Sequence, residues 1–384
     1  MTTGVDPGAA LRRSLADRLA ADGRLHSDGW RAAVEAVPRE VFLGDAVYRM
    51  DADTDTWSVL RRSEIGEPGW LDLVYRDETW VTQVGGVDAV DAFDRVAGAP
   101  TSSSSLPGLV VGMLEDLDVR DGQDLLEIGT GTGYSTALMC HRAGAGQVTS
   151  VEVDPGTAAR ARTALAALGY EPDLRVGDGF GGAGGRDHDR IIATCAFRYV
   201  PPPWLYQVDT GAKILVTLSG WLHANAQVLL DVDDEGTASG RFLPGFRSFM
   251  MARSHQPPPR GPVFFPSGAP ERDTPVGLDV LDDWTGVFVA QLAAPSAVRY
   301  GMGSEGGLLD VSTGSQARVR VSEGGGWRVA QHGPVRLWDA VEEAVAVWRD
   351  AGSPHASAFG LTAAPGGQRV WLETPDGPSW RLPV

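Results

Sequence analysis

The feature that most constrains this chain is a run of alternating glycines directly after an apolar strand. The segment 125–128 is apolar except for Glu127, and Gly129, Gly131 and Gly133 follow before an apolar helix begins. Glycine allows positive φ and lets a ligand approach the main chain without obstruction by a Cβ atom. A strand, a glycine-rich turn and a helix are how doubly wound α/β folds bind nucleotides. The run therefore predicts a site of this kind.

The glycine spacing distinguishes two classes of cofactor. A dinucleotide fingerprint has its third glycine three places after the second. That place is Tyr134 here, and the third glycine comes one residue earlier, at Gly133. The acid Glu127, two residues before Gly129, is also foreign to the dinucleotide pattern. The run resembles motif I of S-adenosylmethionine-dependent methyltransferases, and this resemblance implies S-adenosylmethionine as the cofactor.

Three later stretches fit the same sheet. The apolar segment 148–154 contains Glu152, 23 positions after Gly129, where an acid is placed to accept hydrogen bonds from a ribose diol. Asp178 and Gly179 follow a third strand, and 189–194 suits a buried parallel strand. We expect a Rossmann-like doubly wound α/β sheet of the class I methyltransferase type. The predicted cofactor-binding residues are Glu127, Gly129, Thr130, Gly131, Gly133, Tyr134, Glu152, Asp178 and Gly179.

Composition limits the partners and the compartment. With 384 residues the chain is long for one domain, and its net charge of −17 argues against a nucleic-acid partner. Cys140 and Cys195 have no neighbours at metal-ligand spacing, so we expect neither a metal site nor a disulfide. No apolar run is long enough to span a membrane, and residues 1–6 have no signal-peptide character. A cytoplasmic enzyme is expected.

The chain divides into regions of different character. Helices are predicted at 8–22 and 29–36, and alternating strands and helices from 125 to about 230. Hairpins are predicted around Gly324–Gly326 and Pro375–Gly377, with a helix at 337–348 between them. The predicted regions are a catalytic domain at 1–254 with an acidic, tryptophan-containing insertion at about 51–98, a proline-rich linker at 255–275, and a C-terminal α+β domain at 276–384.

Residues 24 to about 232 resemble the protein-L-isoaspartate O-methyltransferase family. Val37–Phe42 is similar to that family's V-P-R-x-x-F segment, and Tyr75–Asp77 to its Y-x-D segment. Ser103–Pro107 is similar to its T-x-S-x-P signature, and Leu126–Leu138 to its motif I. The order of these segments is more specific than motif I alone. The resemblance implies transfer of a methyl group to a peptide carboxylate.

The chain departs from the repair enzymes of that family. Serine at position 103 replaces the family's threonine, the interval from Arg39 to Ser103 is wider, and a C-terminal domain is added. These features resemble specialised homologues in the biosynthesis of ribosomal peptides (RiPPs). Such homologues accompany the ATP-grasp ligases that make graspetides, or the enzymes that make lanthipeptides. The resemblance implies methylation of one aspartate in a modified, macrocyclic peptide, with collapse of the ester to an aspartimide.

The expected chemistry needs few residues. A carboxylate with a pKa of about 3.9 is already a nucleophile near neutral pH, so no general base is required. We predict Ser105 and Ser103 as the catalytic residues that hold the carboxylate, with Ser102, Ser104 and Trp80 as further substrate-binding residues. Without the family resemblance, a flexible linker or the N-cap of the following helix would be the preferred explanation of the serine run.

Two alternatives remain open at this point. The first is repair of isoaspartyl residues in damaged proteins by the same methyl transfer. The second is a non-catalytic adaptor that binds S-adenosylmethionine through the glycine run and uses its C-terminal domain to hold a partner. In each case the expected partner is a peptide or protein, and neither a nucleic acid nor a membrane.

Overall fold

The computed structural model describes residues 6–260 and 264–384, and these form two compact units. The first unit comprises the chain up to residue 194 together with 207–215, and the second comprises 195–206 with 216–384. The units divide inside two strands, not at the predicted linker 255–275. Most of the N-terminal segment on which the signal-peptide expectation rests, and residues 261–263 of the predicted linker, lie outside the described residues.

The first unit is built from seven helices and ten strands within the described residues. In chain order they are α1 Ala9–Ala21, α2 Asp28–Ala36, α3 Glu40–Leu43, β1 Ala46–Asp51, β2 Thr56–Arg61, α4 Arg62–Val74, β3 Trp80–Val84, β4 Val87–Asp88, β5 Pro100–Ser104, α5 Pro107–Asp116, β6 Leu125–Ile128, α6 Tyr134–Ala143, β7 Val148–Glu152, α7 Pro155–Ala167, β8 Asp173–Val176, β9 His188–Phe197 and β10 Val208–Leu218. The helices predicted at 8–22 and 29–36 are confirmed as α1 and α2.

A parallel sheet forms the centre of this unit. Its strand order is β8–β7–β6–β9–β10, and β6 pairs in parallel with both β7 and β9. Every residue of β6 and β7 is buried, as expected for parallel strands covered on both faces. The predicted doubly wound α/β fold is confirmed. The glycine run lies at the carboxyl end of β6, and the ends of β7 and β8 lie at the same edge.

The tract predicted as an insertion is a small antiparallel sheet. Its order is β2–β1–β3–β4, and β5 joins it by pairing with β3. Its buried core is Ala46, Tyr48, Val81, Val84, Ala89 and Ala92. The serine run therefore forms a strand, so the interpretations as a linker or an N-cap are wrong. Leu106 occupies the N-cap position of α5, and its side chain makes no capping bond.

The second unit combines two antiparallel sheets with two helices. Its elements are β11 Ala226–Val232, β12 Ala238–Arg241, β13 Glu271–Thr274, α8 Trp284–Ala293, β14 Ala297–Met302, β15 Glu305–Asp310, β16 Gln316–Val321, β17 Trp327–His332, α9 Leu337–Asp350, β18 Phe359–Ala364, β19 Gly367–Leu372 and β20 Ser379–Arg381. One sheet has the order β13–β17–β16–β15–β14, and the other β11–β12–β18–β19–β20. The two predicted hairpins are confirmed as β16–β17 and β19–β20.

The end of the predicted linker belongs to a sheet. β13 lies within 255–275 and pairs antiparallel with β17, with Glu271 opposite Ala330. His255 at the start of the same tract is buried. Among the described residues, neither Cys140 nor Cys195 takes part in a disulfide. In the described part of the chain, no helix has the length and apolar character needed to cross a membrane.

A buried histidine in the first unit makes stability depend on pH. His188 is 1% exposed, and neither ring nitrogen has a hydrogen-bond partner among the described residues. Burial, with a smaller contribution from Arg186, lowers the pKa of His188 to about 4. Below pH 6.5 the unfolded chain takes up a proton at this residue before the folded chain does. Stability from this group is therefore present above pH 6.5 and lost as the pH falls towards 4.

We predict that His188→Leu weakens the pH dependence of stability. Between pH 7 and pH 4.5 the free energy of unfolding of the wild type should fall by up to about 3 kcal/mol more than that of the variant. Urea denaturation at several pH values measures both. His26→Leu, at an exposed histidine, is the matched control and should keep the wild-type slope. Equal slopes in His188→Leu and the wild type would contradict the assignment.

Candidate active site

The glycine run forms a tight bend between β6 and α6. Gly129, Gly131 and Gly133 have φ values of +99°, +54° and +93°, which L side chains rarely adopt. The bend is fixed by backbone hydrogen bonds, including Gly129 N–H to the Val151 carbonyl at 2.8 Å and Gly133 N–H to the Thr130 carbonyl at 2.9 Å. A Cβ atom at Gly133 would also lie 3.2 Å from the Ala161 side chain. All three glycines are therefore required by the backbone itself.

Glu127 supports this bend from the protein interior. Its carboxylate is fully buried and accepts hydrogen bonds from the hydroxyls of Ser135, of Thr136 at 2.5 Å and of Ser150 at 2.7 Å. Burial raises the pKa of Glu127 to about 7. Its predicted contact with the cofactor stays a prediction. Glu127 uses three of its carboxylate acceptor sites for these protein hydroxyls. It joins β6, β7 and the start of α6.

Two acids lie at the carboxyl edge of the sheet, as predicted. Glu152 ends β7, where its Oε2 accepts from Gly131 N–H at 2.8 Å and its Oε1 from Asp154 N–H at 3.0 Å. Asp178 follows β8 and is exposed, with Oδ1 accepting from Phe180 N–H at 3.0 Å. The structure thus brings the glycine bend and both predicted acids to one edge, where α/β sheets bind ligands.

Thr130 and Tyr134 offer a ligand only their main chain. The Thr130 hydroxyl is buried and lies 2.6 Å from that of Ser150. The Tyr134 ring is buried at 5.9 Å from the Phe42 ring, and burial raises its pKa to about 12. Their predicted cofactor contacts are therefore corrected for the side chains, which are part of the core under the bend.

The serine run alternates in burial, as a strand requires. Ser103 and Ser105 are partly exposed on one side, and within the described residues neither hydroxyl has a hydrogen-bond partner. Ser102 and Ser104 are buried on the other side, and Ser102 Oγ accepts from Thr82 Oγ1 at 3.2 Å. Of the two residues predicted as catalytic, Ser103 lies on the partly exposed side of β5 and Ser105 directly follows the strand. The substrate-binding predictions for Ser102 and Ser104 are corrected, because both hydroxyls face the interior.

Trp80 is a packing residue. It lies opposite Ser104 in the pairing of β3 with β5, so its side chain shares the buried side of the sheet. It is 7% exposed, and its indole N–H donates to the Leu73 carbonyl at 3.1 Å. Trp70 is buried as well. The prediction that Trp80 binds the substrate is therefore corrected.

Arg39 is the residue whose role sequence reasoning missed. Its guanidinium is fully buried and donates to main-chain carbonyls from two segments of the chain. These are the carbonyls of Val74 at 2.7 Å, Arg76 at 3.1 Å, Glu78 at 3.0 Å, Ser104 at 3.3 Å and Ser105 at 3.0 Å. The signal in the sequence was the V-P-R segment, which showed that an arginine belongs here but not what it binds. Arg39 fixes the end of β5 where the two exposed serines lie.

Neighbouring residues fix the start of α5. Asp77 Oδ1 accepts from Gly108 N–H at 2.6 Å, and Thr79 Oγ1 accepts from Leu106 N–H at 3.1 Å. Asp77 therefore caps α5 from a distant segment and satisfies a helix N–H that lacks a partner within the helix. Asp77 of the Y-x-D segment thus has a structural role. Together with Thr79 it fixes the chain after Ser105, at Leu106 and Gly108.

The serine strand lies beside the glycine bend. A Cβ atom at Gly131 would lie 3.5 Å from the Ser103 carbonyl oxygen. A Cβ atom at Gly133 would lie 3.4 Å from the Phe42 ring. Phe42 is the last residue of the segment that begins with Val37 and contains Arg39. One short segment thus contacts both the strand and the bend.

Comparison with known proteins agrees with this geometry. Residues 88–241 match the family model described as Protein-L-isoaspartate(D-aspartate) O-methyltransferase. Protein-L-isoaspartate O-methyltransferase 2 of Archaeoglobus fulgidus is 34% identical over 161 residues, which cover 38% of this chain and 71% of the relative. The chain belongs to this family. It is also similar to the protein-L-isoaspartate O-methyltransferase of Anaeromyxobacter dehalogenans, with 44% identity over 115 residues, covering 29% of this chain and 54% of the relative.

The matches do not extend over whole relatives. Protein-L-isoaspartate O-methyltransferase 2 of Polaromonas is 33% identical over 141 residues, which cover 36% of this chain and 65% of the relative. The chain thus spans about half to two thirds of the length of these last two relatives. In fold, a solved protein-L-isoaspartate O-methyltransferase aligns with 94% of this chain and 100% of its own, with a TM-score of 0.56 and 19% identity. The similarity in fold therefore includes the second unit.

The residues at the sheet edge fit S-adenosylmethionine, the cofactor of this methyltransferase family. The bend provides an uncrowded main chain at Gly131, where an added Cβ atom would have no neighbour closer than 3.5 Å. Glu152 lies at the position of a ribose-binding acid, and the exposed Asp178 lies at the end of the next strand. Within 6–260 and 264–384, no group of three metal-binding side chains accompanies them.

A substitution at Gly179 tests whether the cofactor binds at the carboxyl edge of the sheet. A Cβ atom there would lie 2.3 Å from Ile128 Cγ2, so Gly179→Ala must displace β6 or the Asp178 loop. We predict that the affinity for S-adenosylhomocysteine, measured by calorimetry, falls by at least about tenfold. Gly181→Ala is the matched control, because an added Cβ there meets nothing within 4 Å. Equal affinity in the two variants would contradict a close-packed cofactor edge.

A substitution at Arg39 tests the position of the serine strand independently of cofactor binding. Arg39→Lys keeps the positive charge, but an ammonium group cannot reach carbonyls in both segments as the guanidinium fork does. We predict that the kcat of methyl transfer falls by about tenfold or more, with a smaller change in affinity for S-adenosylhomocysteine. Arg76→Lys is the control, since Arg76 pairs only with Asp72 on the surface. An Arg39→Lys variant with wild-type kcat would show that the guanidinium does not position the strand.

Proposed function

We propose that this chain transfers a methyl group from S-adenosylmethionine to an aspartate-derived carboxylate of a peptide or protein. One observation carries the proposal: Ser103 in β5 and Ser105 directly after it are partly exposed, neither hydroxyl has a protein partner among the described residues, and β5 runs beside the glycine bend. Two hydroxyl donors next to a nucleotide-type site are suited to hold a carboxylate.

The cofactor supplies an electrophilic methyl group, which is transferred when the carbon–sulfur bond breaks and its electron pair stays on sulfur. A carboxylate oxygen provides the electron pair for the new oxygen–carbon bond. The nucleophile is already ionised at neutral pH, given a pKa of about 3.9 for aspartate, so no proton has to move. This chemistry requires no histidine or lysine base at the site.

The chain's residues act by alignment. The Ser105 and Ser103 hydroxyls donate hydrogen bonds to one carboxylate oxygen, which leaves the other oxygen free to react. Holding the two reactants in line removes much of the entropic barrier of a bimolecular reaction. Arg39 keeps the serine strand in place, while the main chain of the bend, Glu152 and Asp178 bind the cofactor.

For the substrate we propose an aspartate side chain in a constrained ribosomal peptide. After methylation, the following amide nitrogen attacks the ester carbon, a carbon–nitrogen bond forms, and the departing methoxide takes the amide proton to leave as methanol. The product is an aspartimide, and a macrocycle supplies the conformation for this step. The departures at Ser103 and in the wide tract between Arg39 and Ser103, which forms β1 to β4 and α4, support this substrate.

Isoaspartyl repair is the second candidate, favoured by a separate observation. The solved protein titled protein-L-isoaspartate O-methyltransferase covers 94% of this chain, including the second unit. A C-terminal unit is therefore no argument for a specialised peptide substrate. In repair the nucleophile is the α-carboxylate of an isoaspartyl residue, and the same two serine hydroxyls would hold it.

Serine variants test the shared chemistry. We predict that Ser105→Ala lowers kcat by about 10- to 100-fold, the size expected for a lost hydrogen bond to a charged group, and that Ser103→Ala lowers it less. The affinity for S-adenosylhomocysteine should stay within about twofold of wild type. Ser14→Ala, at an exposed serine of α1, is the control. Wild-type kcat in both site variants would contradict a carboxylate-holding role.

The substrate is tested with three peptides. They are a plain isoaspartyl peptide, the same peptide with normal aspartate, and a macrocyclic peptide with one free aspartate. Tritium-labelled methyl transfer and mass spectrometry measure ester and imide. Preference for the macrocycle supports the biosynthetic function, and efficient turnover of the isoaspartyl peptide supports repair. Intact binding of S-adenosylhomocysteine with transfer to none of the three would support the non-catalytic adaptor.

A further inference from the structure

The loop at 85–99 presents an apolar stripe to solvent. Val87, Val90 and Phe93 are spaced three residues apart, and all are exposed, Phe93 completely. Residues 88–92 form a helical turn, with Ala92 N–H donating to the Asp88 carbonyl at 3.1 Å. Val90 lies on this turn, Val87 directly precedes it and Phe93 directly follows it. We call these three exposed apolar residues the 87–93 stripe.

The stripe is exposed because the backbone of the loop is held in place by buried neighbours and by hydrogen bonds. Ala89 and Ala92 are buried in the core of the small antiparallel sheet, which directs Val90 and Phe93 outwards. The Arg61 guanidinium donates to the Val90 carbonyl at 3.3 Å and also to that of Ala92. An aromatic side chain held rigidly in solvent gains nothing from burial within its own chain. Apolar groups in this state are typical of binding sites.

Further contacts fix the second half of the loop. Trp57 and Val96 exchange two backbone hydrogen bonds, at 2.8 and 2.9 Å, and the Trp57 indole donates to the Gly98 carbonyl at 3.0 Å. Gly85 N–H donates to the Ala99 carbonyl at 3.0 Å, which closes the loop at its base. The loop is therefore preorganised, and a partner would not have to pay for ordering it.

The base of the loop lies next to the proposed site. Residue 99 leads directly into β5, which contains Ser103 and is followed by Ser105. At the other end, Asp88 pairs with Arg160 of α7 at 2.6 Å. Burial raises the pKa of the Asp88 carboxyl, with smaller contributions in the same direction from Asp91 and Asp154. Asp154 follows Glu152 by two residues. The loop that contains the 87–93 stripe is thus connected to β5 at one end and contacts α7, close to Glu152, at the other.

The charge beside the stripe identifies the kind of peptide. Asp91 and Asp94 are exposed next to Val90 and Phe93, and the nearby Arg95 pairs with Asp51 instead. Among the described residues, neither Asp91 nor Asp94 forms an ion pair. Two unpaired acids beside an apolar stripe complement a segment with apolar and basic side chains.

Resting on the proposed function, we propose that the 87–93 stripe docks the substrate peptide through an apolar residue and a basic residue near the carboxylate that is methylated. Phe93 and Val90 contact the apolar side chain, and Asp91 and Asp94 attract the basic one. The surface acts in substrate binding and makes no contact with the reacting atoms.

The test measures binding and turnover separately. Fluorescence anisotropy gives Kd, with S-adenosylhomocysteine present, for labelled macrocyclic peptides whose one free aspartate is flanked by leucine and lysine, by leucine and glutamate, or by serine alone. We expect the leucine–lysine peptide to bind most tightly. Phe93→Ser should weaken it about tenfold and raise KM similarly with kcat unchanged. Phe264→Ser, at another exposed phenylalanine, is the matched control and should change neither.

Charge reversal makes the test specific. The double variant Asp91→Lys with Asp94→Lys should reverse the preference between the lysine and glutamate peptides. Equal Kd for all three peptides, or an unchanged Kd in Phe93→Ser, overturns docking at the stripe even if methyl transfer is normal. Loss of a dimer in Phe93→Ser, seen by sedimentation, also overturns it, since a second copy would then cover the stripe. Absence of methyl transfer with stripe-dependent binding would refute the proposed reaction alone.

Discussion

The arrangement of the site depends on one buried guanidinium. Arg39 lies in the interior, has no carboxylate partner among the described residues, and donates to five main-chain carbonyls, from Val74 to Glu78 and at Ser104 and Ser105. Burying an unpaired charge is costly unless its hydrogen bonds are made, and these carbonyls accept from both terminal nitrogens, while Nε has no partner among the described residues. Burial lowers the pKa of Arg39 to about 10, so the group stays charged at neutral pH. The same contacts that compensate its burial fix the end of β5.

In this site, the residues that stabilise the glycine bend differ from the groups that are open to a ligand. Glu127 and Tyr134 belong to the motif by which the sequence was interpreted, yet both are buried under the bend and contact only protein. What they stabilise is the positive-φ backbone at Gly129 to Gly133, which no intrinsic preference of the chain would maintain alone. The surfaces left for ligands are the main chain of the bend, the two edge acids, and the hydroxyls of β5.

The sequence predicted most of the parallel sheet and less of the small antiparallel one. Strands β6 and β7 contain apolar residues and end beside a glycine or an acid, so local pattern was enough for them. The strand β5 is a run of serines without apolar alternation, and it forms because β3 pairs with it and Arg39 holds its end. Such tertiary context overrides local preference.

The direction of individual side chains was the other feature that the sequence did not predict. Once β5 is known to be a strand, period-two alternation separates Ser103 and Ser105 from Ser102 and Ser104. Its register with β3 then places Trp80 on the buried side with Ser104. For Glu127 no alternation exists to be interpreted, because both faces of β6 are buried. Only the positions of Ser135, Thr136 and Ser150 show that its carboxylate points inwards.

The most direct test of the central claim is a crystal structure of the chain with S-adenosylhomocysteine and a macrocyclic peptide that carries one free aspartate. The account predicts the ribose diol on Glu152, the spent cofactor against the backbone of Gly129 to Gly133, and the peptide carboxylate on the Ser103 and Ser105 hydroxyls. A cofactor bound elsewhere, or a peptide carboxylate away from β5, would contradict it.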